Sequence, residues 1–387
     1  MPELDVSAPS QGGRIARTPP RAESVGSLLR PEALKAQFMQ TYGDGVIYAN
    51  ALPEEQRRTL KDLDELATSL VPDLVRRQID AGIDVVTDGE IRRGLFTNSF
   101  LDAVDGIDLT GETRAEGRSA DAYAIPLVTE RLTKRGNPAL REAEVIRRAT
   151  SFPTKMTFPA ASYFYFQMFL EFDRVVYADR DAMVEAIVAI ERQLVDEVIE
   201  AGIRHVQFDF PVYPMLVDPS ASERAAAIGE TRESLLAKAL AVDAKVVSGM
   251  PSHVTTALHL CRGNTNQFFV GSVEPIAERI FALPYDRFLF EWHDVSEDGS
   301  YEPIRFVPPG KTMVMGLVST KTPELEDEDE LLRQMETAGK LLDVSQLGIS
   351  PQCGFASAWR GHAYDEETQW RKLELVGRVA ERIWGGA

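Results

Sequence analysis

The sequence predicts an α/β fold, a single (β/α)8 TIM barrel with an insertion between its second and third strands. Three observations carry this: eight short apolar runs, helical stretches alternating with them, and a repeated Ala-Gly-Ile joint where helix gives way to strand. The joint occurs in Asp80-Ala-Gly-Ile-Asp-Val-Val-Thr-Asp-Gly-Glu90 and in Glu200-Ala-Gly-Ile-Arg-His-Val-Gln-Phe-Asp-Phe-Pro211. Glycine closes a helix without a Cβ penalty, and the β-branched or aromatic run behind it suits a strand buried on both faces.

Along the chain, residues 1–20 are polar and rich in Pro, Gly and Ser, without the apolar stretch of a secretory signal, and are expected to be a flexible arm. Residues 21–387 form the barrel. Strands are predicted at 23–27, 85–88, 155–159, 205–209, 254–259, 288–291, 312–317 and 347–350. Helices are predicted at 53–80, 181–201, 223–247, 273–283, 326–342 and 366–384. Residues 101–151 are too long for a simple strand-to-helix connection and include helix-like sequence at 138–149. They read as an insertion or lid over the barrel mouth. The acidic run 324–330 reads as a solvated helix N-terminus rather than a cation site. An open doubly wound sheet is the structural alternative, but no Gly-rich nucleotide fingerprint follows any strand.

The chain has 387 residues and a formal net charge of -18. Such acidity repels phosphate backbones and anionic lipid, so neither nucleic acid nor membrane is an expected partner. No apolar run approaches the roughly 20 residues that span a bilayer. Two cysteines exclude a disulfide scaffold and make a cytoplasmic location the default. The oligomeric state stays open.

Barrel active sites gather at the C-terminal ends of the strands. Those ends carry Ser27, Asp88, Glu90, Asp209, His259, Cys261, Glu291, Trp292, His293, Lys321 and Cys353. His259 and Cys261 are two apart on a strand and point the same way. Cys353 ends the last strand, and Glu291 ends an apolar one, where a lone carboxylate needs a partner. One His, two Cys and one Glu are the N, S and O donors that zinc prefers. From spacing alone, the two cysteines are equally readable as buried hydrophobes or a disulfide. His259 is then a core histidine and Glu291 an arginine partner. Trp292 is expected to pack, and His293 to orient a ligand from behind the metal.

At Val25-Gly-Ser27, Asp88-Gly-Glu90, Gln207-Phe-Asp209, His259-Leu-Cys-Arg-Gly-Asn264 and Ser350-Pro-Gln-Cys-Gly354 the chain resembles the catalytic C-terminal barrel of cobalamin-independent methionine synthases, within the UROD/methionine-synthase-like superfamily. The resemblance runs from about 22 to 386. It implies a zinc ion held by His259, Cys261, Glu291 and Cys353. It also implies methyl transfer to homocysteine from methyltetrahydrofolate or another carrier, with Ser27 on the substrate carboxylate and Glu90 and Asp209 on its ammonium. Arg92 is a further candidate for substrate binding, and Lys321 and Asp209 for catalysis.

Two departures stand out. Phe210 replaces a carboxylate that the family usually carries, and Lys321 stands where a loop histidine is credited with protonating the leaving group. These changes also suit the related epoxyalkane:coenzyme M transferases, in which a thiolate opens an epoxide and the thiol bears a sulfonate. Arg92, Arg93 and Arg262 are cations that could serve such an anion. A third reading is a non-enzymatic zinc-containing binding protein.

Overall fold

The structure, a computed structural model, describes residues 14–43, 48–109, 125–166, 170–264, 269–292 and 300–385. Nine strands are described: β1 Val104–Asp108, β2 Leu127–Lys134, β3 Lys155–Pro159, β4 Glu171–Phe172, β5 His205–Asp209, β6 Thr255–Leu260, β7 Arg287–Glu291, β8 Thr312–Val318 and β9 Leu347–Pro351. The core is a parallel six-stranded sheet in the order β3-β5-β6-β7-β8-β9. Its strands are almost wholly buried, which is why they read as apolar runs rather than alternating ones.

The two leading strands predicted at 23–27 and 85–88 appear only as single-residue pairings: Ala22 with Ile349, Glu23 with Val85, and Val86 with Thr154, all parallel. Both segments soon turn away to build the site, so neither sustains a ladder. The helices also depart in detail from the periodicity. The stretch 223–247 divides into Ala221–Ala227 and Arg232–Val247, because Gly229 takes φ 78° and Thr231 caps the second helix. The stretch 273–283 is a 3-10 turn, Glu274–Ile276, followed by the short helix Ala277–Phe281. The predicted 53–80 becomes Glu54–Arg57 and Thr59–Asp80. The last helix, Glu366–Trp384, spans the expected residues. It lies so close to the Ala81-Gly82 joint that a Cβ on Gly377 would sit 2.0 Å from Ala81 O.

The described residues of the insertion form the antiparallel pair β1–β2 and the helix Pro138–Ala149, capped by Asn137; β4, from beyond β3, lies beside β2. Of the N-terminal arm, Arg14 and Arg17 lie against the segment 82–84 and the last helix. Arg14 and Arg17 reach Asp84 at 2.7 and 3.1 Å, and Arg17 also pairs with Glu381. The acidic run ends in the helix Glu328–Ala338, with Asp327 as its cap and Glu328 paired to Arg378 and Arg382. None of the described helices is long and apolar enough to cross a membrane.

Inside the strands, Val25, Ala257, Leu289 and Val314 form a small cluster separate from the main core. Glu23 and Arg287, two residues before Val25 and Leu289, join Lys155 of β3 and Gln207 of β5 in a charged layer. Lys155 donates to Glu23 (3.1 Å), Ser24 O (2.7 Å) and Gln207 (2.8 Å), and Arg287 donates to Glu23 at 2.7 Å. Burial alone would raise Glu23, but Arg287 and Lys155 outweigh it and hold the carboxyl at about 2. Gln207 then donates to Asp209 at 2.6 Å, tying this layer to the strand ends above it.

Candidate metal and substrate site

Strand ends bring three of the predicted donors together. The ligand atoms of His259 on β6, Cys261 just beyond it, and Cys353 after β9 all lie within 4.8 Å of one another, and all three residues are buried. The two sulfurs are 3.4 Å apart. That contact favours one shared proton: it raises Cys261, together with burial, and lowers Cys353, which also feels the positive charges of His259 and Lys321. One ring nitrogen and two thiols are a donor set that fits zinc.

Glu291 is not part of that group. One of its oxygens accepts the backbone N–H of Arg262 at 2.6 Å, and the other is paired with Lys321 Nζ. Lys321 is therefore a partly buried cation facing a fully buried carboxylate, not a surface lysine. Asp209 also has a defined task. Its Oδ1 is 3.2 Å from His259 Nδ1, while His259 Nε2 is 3.2 Å from Gln352 O. Burial pulls the imidazole down, but the Asp209 hydrogen bond and nearby negative charge raise it overall.

The predicted amino-acid residues lie beside this group. Glu90 is buried, accepts from Thr157 Oγ1 at 2.8 Å and has Arg93 at 3.7 Å. Burial pushes its carboxyl up to about 7 despite Arg93, and the Asp209 charge adds to the rise. A Cβ on Gly26 would meet Glu90 Oε1 at 2.3 Å, so the glycine makes room for this carboxylate. Ser27 Oγ accepts from Ala356 N at 3.2 Å, and a Cβ on Gly354 would meet that oxygen at 2.1 Å. Glu90 and Phe210 both adopt left-handed φ, 53° and 59°, an uncommon state for bulky residues that tends to occur at working sites.

Arg92 is turned to Asp64 (2.9 Å), Thr68 (2.7 Å) and Asp88 (3.5 Å), so it balances protein carboxylates. Arg93 meets Glu142 at 2.6 Å in a buried pair, and Arg262 donates to Phe269 O and Gly271 O. Trp292 is buried against Phe290 and Tyr301, as packing predicts. His293 lies outside the described residues.

Sequence reasoning missed Thr157 and Glu142, which hold Glu90 and Arg93. Thr157 shares a strand face with Lys155, and period two along β3 signals that it points inward. Glu142 comes from the insertion, and no local pattern announces it. Phe210 joins Phe96, Tyr163 and Phe269 in an aromatic wall, with ring centroids 5.5–6.4 Å apart.

Residues 51–371 match the family model described as the catalytic domain of cobalamin-independent synthase. The chain is 30% identical over 391 residues to the uncharacterized protein YxjG of Bacillus subtilis, covering 99% of this chain and 100% of that one. It is 25% identical over 326 residues to a methionine synthase of Pyrococcus abyssi, covering 81% and 82%. Its fold is similar to the crystal structure of a putative vitamin-B12 independent methionine synthase from Listeria monocytogenes. There the TM-score is 0.71 and the identity 24%, over 96% of this chain and 99% of that one.

Proposed function

The chain belongs to the family of cobalamin-independent synthase catalytic domains, and from that premise we propose that it methylates the thiol of homocysteine, giving methionine, with a zinc ion held by His259, Cys261 and Cys353. The observation that carries this reading is the convergence of one nitrogen and two sulfurs within 4.8 Å while Glu291 is held by Lys321. Zinc, when bound, lowers a thiol's pKa so that a thiolate nucleophile exists at neutral pH. We take the fold to be a closed eight-stranded barrel. The pairings at Ala22, Glu23 and Val86 bridge the two edges of the six-stranded sheet.

The protein's own residues then have these tasks. Asp209, 3.2 Å from His259 Nδ1, would take the hydrogen of that nitrogen and so leave Nε2, now 3.2 Å from Gln352 O, as the atom to serve as a ligand. Lys321 pairs with Glu291, which would leave that carboxylate a displaceable donor and a coordination position for the substrate sulfur. Ser27 meets the substrate carboxylate. Glu90, poised near neutrality, gives up its proton when an ammonium arrives and then holds it by a charge-assisted hydrogen bond. Phe210 and its aromatic neighbours wall the approach of the methyl donor.

A sulfonate-bearing thiol gains less support, because Lys321, Arg92 and Arg93 are all engaged by protein carboxylates. A closed non-enzymatic metal site fits poorly with three converging donors and a diverted fourth. Zinc-edge X-ray absorption before and after adding homocysteine tests the reading. The expected change is from two sulfur ligands to three; an unchanged two would assign the site to another thiol, and absence of zinc would remove its foundation.

A further inference from the structure

Charged and polar groups from several segments surround Glu90. On its own segment, Asp88 Oδ1 accepts the Glu90 N–H at 2.9 Å. Arg30 donates to the backbone oxygens of Glu90 (2.7 Å) and Arg93 (2.8 Å). Thr157 comes from β3, Asp209 from β5, and Glu142 from the helix Pro138–Ala149.

Arg93 lies between two carboxylates, and Glu142 takes most of it. Nε donates to Glu142 Oε1 at 3.0 Å and Nη2 to Oε2 at 2.6 Å, a two-pronged pair with both residues buried. Nη1 is turned the other way. It donates to Thr157 Oγ1 at 2.9 Å and stands 3.7 Å from Glu90 Oε2, beyond hydrogen-bond distance. Thr157 has a single hydroxyl hydrogen, and it goes to Glu90 Oε1 at 2.8 Å. Glu90 thus receives Arg93 at second hand, through a hydroxyl.

We propose that Glu142 is a positioning residue of the substrate site: by holding Arg93 it keeps that cation off Glu90 and reserves the Glu90 carboxyl for the ammonium of the incoming thiol. The inference rests on the homocysteine reading and says what makes the site selective for an amino-acid thiol. Burial, which Arg93 offsets only in part, and the Asp209 charge put the Glu90 carboxyl up at about 7. Below that pH an arriving ammonium displaces its proton to solvent. Were Arg93 released from Glu142, it could close on Glu90, which would then be ionised and paired before any substrate came. The ammonium would have to compete with a guanidinium.

The test compares the zinc-loaded full chain with Glu142→Gln, which keeps the shape and an acceptor oxygen but removes the charge that holds Arg93. The probe is methionine, whose thioether has no proton to lose, titrated by calorimetry in buffers of different ionisation enthalpy. At about pH 6 the wild type should release about one proton per methionine bound, with affinity rising toward about pH 8. In the variant the release should vanish, and affinity should be flat with pH and on the order of 10-fold weaker at about pH 8. The wild type's preference for homocysteine over its desamino analogue should shrink by a similar factor. A variant with wild-type proton release and wild-type preference would overturn the role. If the variant does not fold, the wild type decides alone. Methionine bound with proton release upholds the reserved carboxyl, while methionine bound without it overturns the inference and leaves the homocysteine reading standing. A wild-type protein that binds neither methionine nor homocysteine would instead overturn that reading itself.

Discussion

Replacing Glu90 with Gln should make the metal-free protein more stable at alkaline pH while weakening homocysteine binding. The carboxyl is buried, with an ordinary value of 4.5 pushed to about 7 by burial against the opposing Arg93. Below 4.5 the group is protonated in both the folded and the unfolded chain and makes no difference. As pH rises the unfolded chain ionises first, so stability is lost progressively until the folded group ionises near 7. At about 1.4 kcal/mol per pH unit, the full penalty is roughly 3 kcal/mol. Gln does not titrate, and its oxygen can still accept from Thr157. For a chain of this length, about 2.1 cal/mol/K per residue makes roughly 3 kcal/mol worth about 4 °C in Tm. Thermal unfolding after chelation, at about pH 5 and about pH 8, should show the variant's advantage mainly at the higher pH. The same advantage at both, or a less stable variant at the higher pH, would refute the assigned environment. Homocysteine affinity should fall about 10- to 100-fold by calorimetry, the worth of a hydrogen bond to a charged group. Unchanged affinity would remove Glu90 from the substrate site.

Other perturbations separate the parts of the site. Gly354→Ala would place a Cβ 2.1 Å from Ser27 Oγ. It should raise KM for the amino acid, with zinc content by atomic emission unchanged. Lys321→Met removes the cation from Glu291 and should let that carboxylate hold the metal. Competition with a chelator should then show tighter zinc, and the third sulfur should fail to appear on adding homocysteine. Gly377→Ala, 2.0 Å from Ala81 O, should destabilise the fold by about 1–3 kcal/mol. Denaturant unfolding should show this with the metal ligands intact.

Much of the frame was legible because strand and helix are written in local periods. The runs at 155–159 and 205–209 match β3 and β5 residue for residue, and the last helix matches too. The misses occur where local pattern is overruled. Residues 23–27 and 85–88 look like strands, but after one or two pairings they leave the sheet to present Ser27 and Glu90. The helix 223–247 looked continuous because apolar spacing runs on through Gly229, while backbone conformation at that glycine decides the break.

The site divides along the same line. A residue at a strand end could be placed from the sequence because the fold fixes where strand ends go. Its partner could not, because pairing depends on side-chain reach across segments far apart in the chain. Glu291 meets Lys321, Arg93 meets Glu142 from the insertion, and His362 meets Asn264. These partners bear on which thiol the site accepts. Sequence alone left Lys321, Arg92 and Arg93 as cations able to greet a sulfonate. In the structure each faces a carboxylate, while Glu90 sits in an environment that disfavours its own charge until a cation arrives. A carboxyl held near neutrality in a buried pocket gains most from an incoming ammonium, and that electrostatic asymmetry favours an amino-acid thiol over an anionic one.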